Sequence, residues 1–136
     1  MPQLDPDALH AFFAEHFPQA VAFGFRVTEA TDDGCTLVLP TSEQHLRPGA
    51  TLSGPTLMTL ADTAMYASVL ARLGPVAQAV TSSLQIHFLR RPTLGEVTAR
   101  CELLKVGRRL AVGRVELSTD DDLVAHATVT YAIPPT

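Results

Sequence analysis

Between Gly54 and Ala71 the chain runs for 18 residues with a single charge, the carboxylate of Asp62. Drawn as a helix, this stretch is apolar nearly all round, which calls for burial on most sides rather than one packed face. Ser53 is a natural N-cap, and Pro55 sits where a missing N–H is harmless. Gly74-Pro75 supplies the stop, and Arg72 in the last turn suits the negative end of the dipole. Asp62 is the anomaly. An ionised carboxylate taken out of water costs several kcal/mol unless hydrogen bonds or a partner charge offset it. Asp is also a poor residue for a helix interior. Chemistry on a bound ligand is the leading reason to keep it there. A structural carboxylate bonded to backbone or Thr is the alternative.

The rest of the chain supplies what encloses this helix. Asp5-Pro6-Asp7 reads as a helix start, with Leu9, Phe12, Phe13 and His16 or Phe17 at helical spacing and Pro18 as the end. Two strands are expected, roughly Val21 to Glu29 and Cys35 to Leu39, around the turn Asp32-Asp33-Gly34. Pro40 to Thr51 is polar and irregular. After Pro75 the period becomes two: Val80, Ser82, Leu84, Ile86 and Phe88 alternate with Thr81, Ser83, Gln85, His87 and Leu89. Further strands are expected at roughly Glu96 to Lys105, Arg109 to Ser118 and Leu123 to Ile133. The connections between these strands, 92–95, 106–108 and 119–122, are short enough for antiparallel hairpins. A buried helix followed by a long meander predicts an α+β fold, an antiparallel sheet wrapped around a central helix. The 136 residues suit one domain, 1–136.

Several function classes are disfavoured. A net charge of −4 argues against a general nucleic-acid binder. Cys35 and Cys101 have no zinc-ligand spacing and read as small buried apolar residues in a reducing compartment. The segment Met1 to Asp7 lacks the basic start and apolar run of a signal peptide. Asp62, Pro55 and scattered Thr and Ser make the central stretch a core helix rather than a membrane span. The expectation is a cytoplasmic protein with no metal, no cofactor and no membrane contact.

The order of elements resembles the hotdog fold, and Arg47 to Gly74 resembles the acyl-CoA thioesterases of the PaaI type. In that family a loop carrying Asn, Gly and then His-Gly-Gly leads into the central helix. The catalytic Asp or Glu follows eight positions after the first Gly of the pair. Here Ser53-Gly54-Pro55 stands in the His-Gly-Gly place and Asp62 falls eight residues after Gly54. The run Thr81 to Pro92, with Leu94-Gly95-Glu96, is similar to the family's strand after the helix. The sequence departs from the pattern at four places: Ser53 for His, Pro55 for the second Gly, Ala50 for the loop Gly, and Arg47 at the Asn place.

The resemblance implies thioester hydrolysis, with acyl-CoA as substrate. A thiol leaves without much help from an acid, so one carboxylate and one oxyanion site form a sufficient minimum. Gly54 N–H, at the positive end of a helix dipole, is the candidate donor. Asp62 is the candidate general base or nucleophile; the sequence leaves both open. Eight helical residues rise about 12 Å, too far for Gly54 and Asp62 of one chain to address one carbonyl at about 3 Å. The site is therefore expected between subunits of a homo-oligomer, a dimer or dimer of dimers.

Thr81, where relatives carry Ser or Thr, is a candidate to orient water. Ser53 either caps the helix or donates to the carbonyl. Arg47, Pro55, Ser83, Arg90 and Arg91 complete the candidate substrate-binding set. Arg47 is assigned to the acyl carbonyl or CoA, and Arg90 and Arg91 to CoA phosphates or simply to solvent. His87, beside Phe88, reads as a packing residue, and His45 as a further candidate. A non-catalytic acyl-CoA or acyl-carrier binder is the second reading. A dehydratase is the third, and the lack of a His in or just before the helix counts against it.

Overall fold

The computed structural model describes residues 1–49, 51–92 and 95–135. Ala50 and the Thr93-Leu94 pair before Gly95 lie outside them. Helix α1 (Pro6–His16) begins with the Asp5 side chain accepting from Ala8 N–H at 2.9 Å. It buries Leu9, Phe12 and Phe13. The strand expected from Val21 does not start there, because Pro18–Phe23 forms a second short helix, α2. Pro18 ends one helix and opens the next at a first-turn position, where its fixed φ is favourable. Gly24, at φ +102°, then stops α2 in a conformation that glycine adopts without strain.

Strand β1 (Arg26–Thr31) turns through Asp32-Asp33 into β2 (Gly34–Pro40). Gly34 is dictated by space as well as by its φ of +153°: a Cβ there would lie 1.9 Å from the Cys101 carbonyl oxygen. The segment expected to be irregular holds a 3-10 turn at Glu43–His45 and a small ladder of β3 (Leu46–Arg47) with β4 (Thr51–Leu52). Helix α3 spans Gly54–Leu73. Strands β5 (Val80–Phe88), β6 (Glu96–Val106), β7 (Leu110–Thr119) and β8 (Asp122–Ala132) follow.

The main sheet has the order β1-β2-β6-β7-β8-β5, with every neighbouring pair antiparallel. The hairpins β6–β7 and β7–β8 are as expected from their short connections. The hairpin expected between β5 and β6 is not formed. β5 pairs with β8 at one edge, so β8 and β7 lie between β5 and β6 in the sheet. Three strand spacings amount to about 14 Å, well within the reach of the intervening residues.

Helix α3 lies in the hollow of the curled sheet and is buried without a break from Thr63 to Ala71. Leu60, Met65 and Leu70 of α3 pack with Leu37, Leu39, Val97, Val115, Leu117 and Val129 of the strands, all fully buried. Each such side chain contributes about 1.5–3 kcal/mol by leaving water. Cys35 and Cys101 are free thiols buried in this core on the adjacent strands β2 and β6. Among the described residues no helix is long and apolar enough to cross a membrane.

Candidate active site

Asp62 is half-buried on α3, where the helix faces the paired strands β5 and β8. Thr81 Oγ1 donates to its Oδ1 at 2.6 Å. Tyr131 Oη donates to the same oxygen at 2.9 Å and lies 3.2 Å from the Asp62 backbone carbonyl. No hydrogen bond from a described residue reaches Oδ2. Burial, then the charge of Asp62, pushes the Tyr131 hydroxyl above the ordinary tyrosine range. It therefore stays protonated and acts as a donor.

Strand register explains why Thr81 can reach the helix. Simple alternation places Thr81 on the face opposite Leu84, Ile86 and Phe88. A bulge between Thr81 and Ser83 adds one residue to β5. Beyond it Leu84 pairs with Val129, Ile86 with Ala127 and Phe88 with Ala125, while before it Thr81 pairs with Tyr131. Val129, Ala127, Ala125 and Tyr131 are all buried core residues. The bulge thus moves Thr81 onto the inner face.

Two adjoining hollows, of about 450 and 330 Å³, open beside Asp62 and share Phe17, Tyr66, Thr81 and Tyr131 as lining. Tyr66 stacks on Tyr131 with ring centres 5.8 Å apart, and its hydroxyl donates to the Ala77 carbonyl at 2.9 Å. Three aromatic rings, those of Phe17, Tyr66 and Tyr131, thus stand with the Asp62 carboxylate in the walls of both hollows.

The other candidate residues gather at the start of α3. The Ser53 side chain accepts from Thr56 N–H at 3.1 Å, closing the cap, and the two hydroxyls lie 2.7 Å apart. Thr56 Oγ1 in turn donates to the His45 carbonyl at 3.1 Å. No hydrogen bond to a described residue uses Gly54 N–H. Arg47, Gly54, Phe88, Arg90 and Arg91 line a larger cavity of about 650 Å³. The Phe88 ring closes one side of it, 3.3 Å from where a Gly54 Cβ would stand. Arg91 is tied to the Gly49 carbonyl at 3.2 Å, and Arg47 and Arg90 are exposed. Pro55 is exposed and is not part of this lining.

Within one chain, then, the candidates fall into two groups. Thr81 joins Asp62; Arg47, Arg90 and Arg91 join Gly54; none of these cavities is lined by both Gly54 and Asp62. Ser83 pairs with Thr130 on the opposite face of the sheet from Thr81 and joins neither group. His45 is buried; its Nδ1 accepts from Ser42 N–H and its Nε2 donates to the Phe23 carbonyl, each at 2.9 Å, so both nitrogens are spent on the loop. Tyr131, Tyr66 and Phe17 were not anticipated as site residues. Tyr131 stands 69 positions from Asp62, and only the β5–β8 register brings it there. Among the described residues no cluster of three or more His, Cys, Asp or Glu side chains is arranged to hold a metal ion.

Comparison with known proteins adds three findings. The sequence pattern of a family described as the thioesterase superfamily matches residues 49–126. Among solved structures, a crystal structure from Silicibacter, provisionally assigned as a thioesterase, is 41% identical with a TM-score of 0.90, covering 99% of this chain and 95% of that one. A point mutant of the phenylacetic acid degradation protein PaaI from Thermus thermophilus is 28% identical with a TM-score of 0.78, covering 86% of this chain and 99% of that one. Among curated proteins, the medium/long-chain acyl-CoA thioesterase YigI of Salmonella typhimurium is 41% identical over 54 residues. That match takes in 39% of this chain and 35% of YigI, about a third of its length.

Proposed function

The chain belongs to the thioesterase superfamily, and from that premise we propose that it hydrolyses acyl-CoA thioesters at a site shared by two subunits. It is a thioester hydrolase of the hotdog, PaaI-like kind. The observation that carries the finer reading is the state of Asp62, a half-buried carboxylate in the wall of a hollow, with one oxygen held by two hydroxyls and no hydrogen bond from a described residue on the other.

The reaction runs through that open oxygen. In the base course, water adds to the thioester carbonyl carbon as its proton passes to Asp62 Oδ2. The carbonyl oxygen takes up the negative charge against a Gly54 N–H. Collapse breaks the C–S bond, and the departing thiolate takes the proton from Asp62, leaving acid and CoA. In the nucleophile course Oδ2 itself bonds to the carbonyl carbon as the thiolate leaves, and water then opens the mixed anhydride. The Arg47, Arg90 and Arg91 side chains around the Gly54 cavity suit the CoA phosphates.

Two features favour assembly through β5. This strand is a sheet edge, and Val80, Phe88 and Leu89 leave large apolar surfaces exposed on or beside it. Met58, 40% exposed, is midway between Gly54 and Asp62 along α3. A twofold axis beside Met58 sets Gly54 of one helix against Asp62 of the partner subunit. The same axis, passing beside Leu84 and Gln85, sets β5 antiparallel to β5 of the partner subunit and continues the sheet.

The test is thiol release from short, medium and aromatic acyl-CoAs by wild type and Asp62→Asn. The variant keeps size and hydrogen bonding but loses basicity, so turnover should fall at least about 100-fold with the fold retained. Undiminished hydrolysis in Asp62→Asn would remove Asp62 from the chemistry.

A further inference from the structure

We propose that Tyr131 is a positioning residue for Asp62, fixing the carboxylate through Oδ1 so that Oδ2 is the oxygen that reacts. The inference rests on the reading of Asp62 as the reacting carboxylate, and it adds a residue that neither the helix motif nor the spacing around it contains.

The geometry has three parts. Tyr131 is 4% exposed, so its hydroxyl has little water to turn to and is committed to Asp62. Its ring cannot swing away, because it stacks on Tyr66 at 20° between planes, and Tyr66 is anchored in turn through Ala77. Its strand position is also set, since Tyr131 is the direct cross-strand partner of Thr81. Both hydroxyls therefore arrive at Oδ1 from neighbouring strands.

A carboxylate on a helix can rotate about χ2 and present either oxygen. One donor at Oδ1 would leave a pivot. Two donors from adjacent strands, with Tyr131 Oη also within 3.2 Å of the Asp62 carbonyl, fix the plane of the group and remove that freedom. Orientation of this kind is worth rate rather than affinity.

The decisive variant is Tyr131→Phe, which keeps the ring, its stacking and its volume. Two measurements are made on the full-length protein. One is steady-state hydrolysis of an acyl-CoA. The other is the isotope-edited infrared spectrum of the Asp62 carboxylate, whose stretching bands report the hydrogen bonds it accepts. The expected result is a fall in kcat of about 10-fold or more with KM within about twofold, and a shift of the Asp62 carboxylate bands in the variant. Thr81→Val should also shift these bands, giving a second reading if Tyr131→Phe folds poorly.

Unshifted carboxylate bands, or an unchanged kcat, overturn the proposal. So does a raised KM at unchanged kcat, which would make Tyr131 a wall of the acyl hollow only. If wild type hydrolyses no acyl-CoA but the carboxylate bands still shift in Tyr131→Phe, the proposed reaction fails and the hold of Tyr131 on Asp62 stands.

Discussion

The Ser53 hydroxyl shows how a single group can be read two ways until its hydrogen bonds are known. It occupies the place where PaaI-type relatives carry His, yet its bonds go to Thr56 N–H and the Thr56 hydroxyl. Its work is to close the first turn of α3 and leave the Gly54 N–H uncovered. Ser53→Ala should therefore cost about 1 kcal/mol in chemical denaturation while changing turnover by less than about threefold. Loss of turnover in a well-folded Ser53→Ala protein would make the hydroxyl a reacting group instead. Asp62 and Gly54 were legible as candidates because each breaks a local rule: a charge in an apolar helix, a glycine at its start. Tyr131 breaks none. A tyrosine in a strand of mixed polarity looks ordinary, and its significance arises only from contact across the sheet.

Helices and strands were legible to different degrees for the same reason. Helix α3 is marked at both ends, by Ser53 before it and Pro55 in its first turn, and by Gly74 after it, and its bounds match them. Helix α2 is six residues long, too short to show a period, and Val21 among them read as strand. The bulge at Ser82 left no mark in a run that otherwise alternates, and pairing of β5 with β8 rather than β6 is a property of the whole sheet.

The β2–β6 pair makes a prediction of its own. Burial pushes the Cys35 thiol up to about 12 and the Cys101 thiol up to about 11. In the unfolded chain both ionise at ordinary thiol pH, about 8.5. Above that pH the unfolded state loses protons that the folded state keeps, so stability falls as pH rises through the interval up to these raised values. Urea midpoints should be lower at pH 10 than at pH 7.5, and a Cys35→Ala, Cys101→Ala protein should lose part of that difference. A pH-independent difference between the two proteins would show that the thiols do not carry it. At pH 7.5 neither thiol should be alkylated until the protein unfolds.

For the whole molecule, the separation of the Gly54 and Asp62 cavities makes subunit mixing the critical experiment. Asp62→Asn and Gly54→Ala should each be inactive as pure proteins, the second because a methyl group fills the approach to the N–H. A one-to-one mixture, unfolded and refolded together, forms about half mixed dimers. Each mixed dimer holds one intact site of two, so about a quarter of wild-type activity should return. No recovery, with mixed dimers demonstrated by mass, would place both groups of each site in one chain.

The exposed edge of β5 carries a further consequence, for the life of the protein rather than its chemistry. A lone subunit presents unpaired backbone donors and acceptors flanked by Val80, Phe88 and Leu89, the kind of edge that recruits other chains into aggregates. The proposed pairing with a second copy would cover it. Solubility and competence would then be governed by one association constant, and dilution below it would cost the protein both at once.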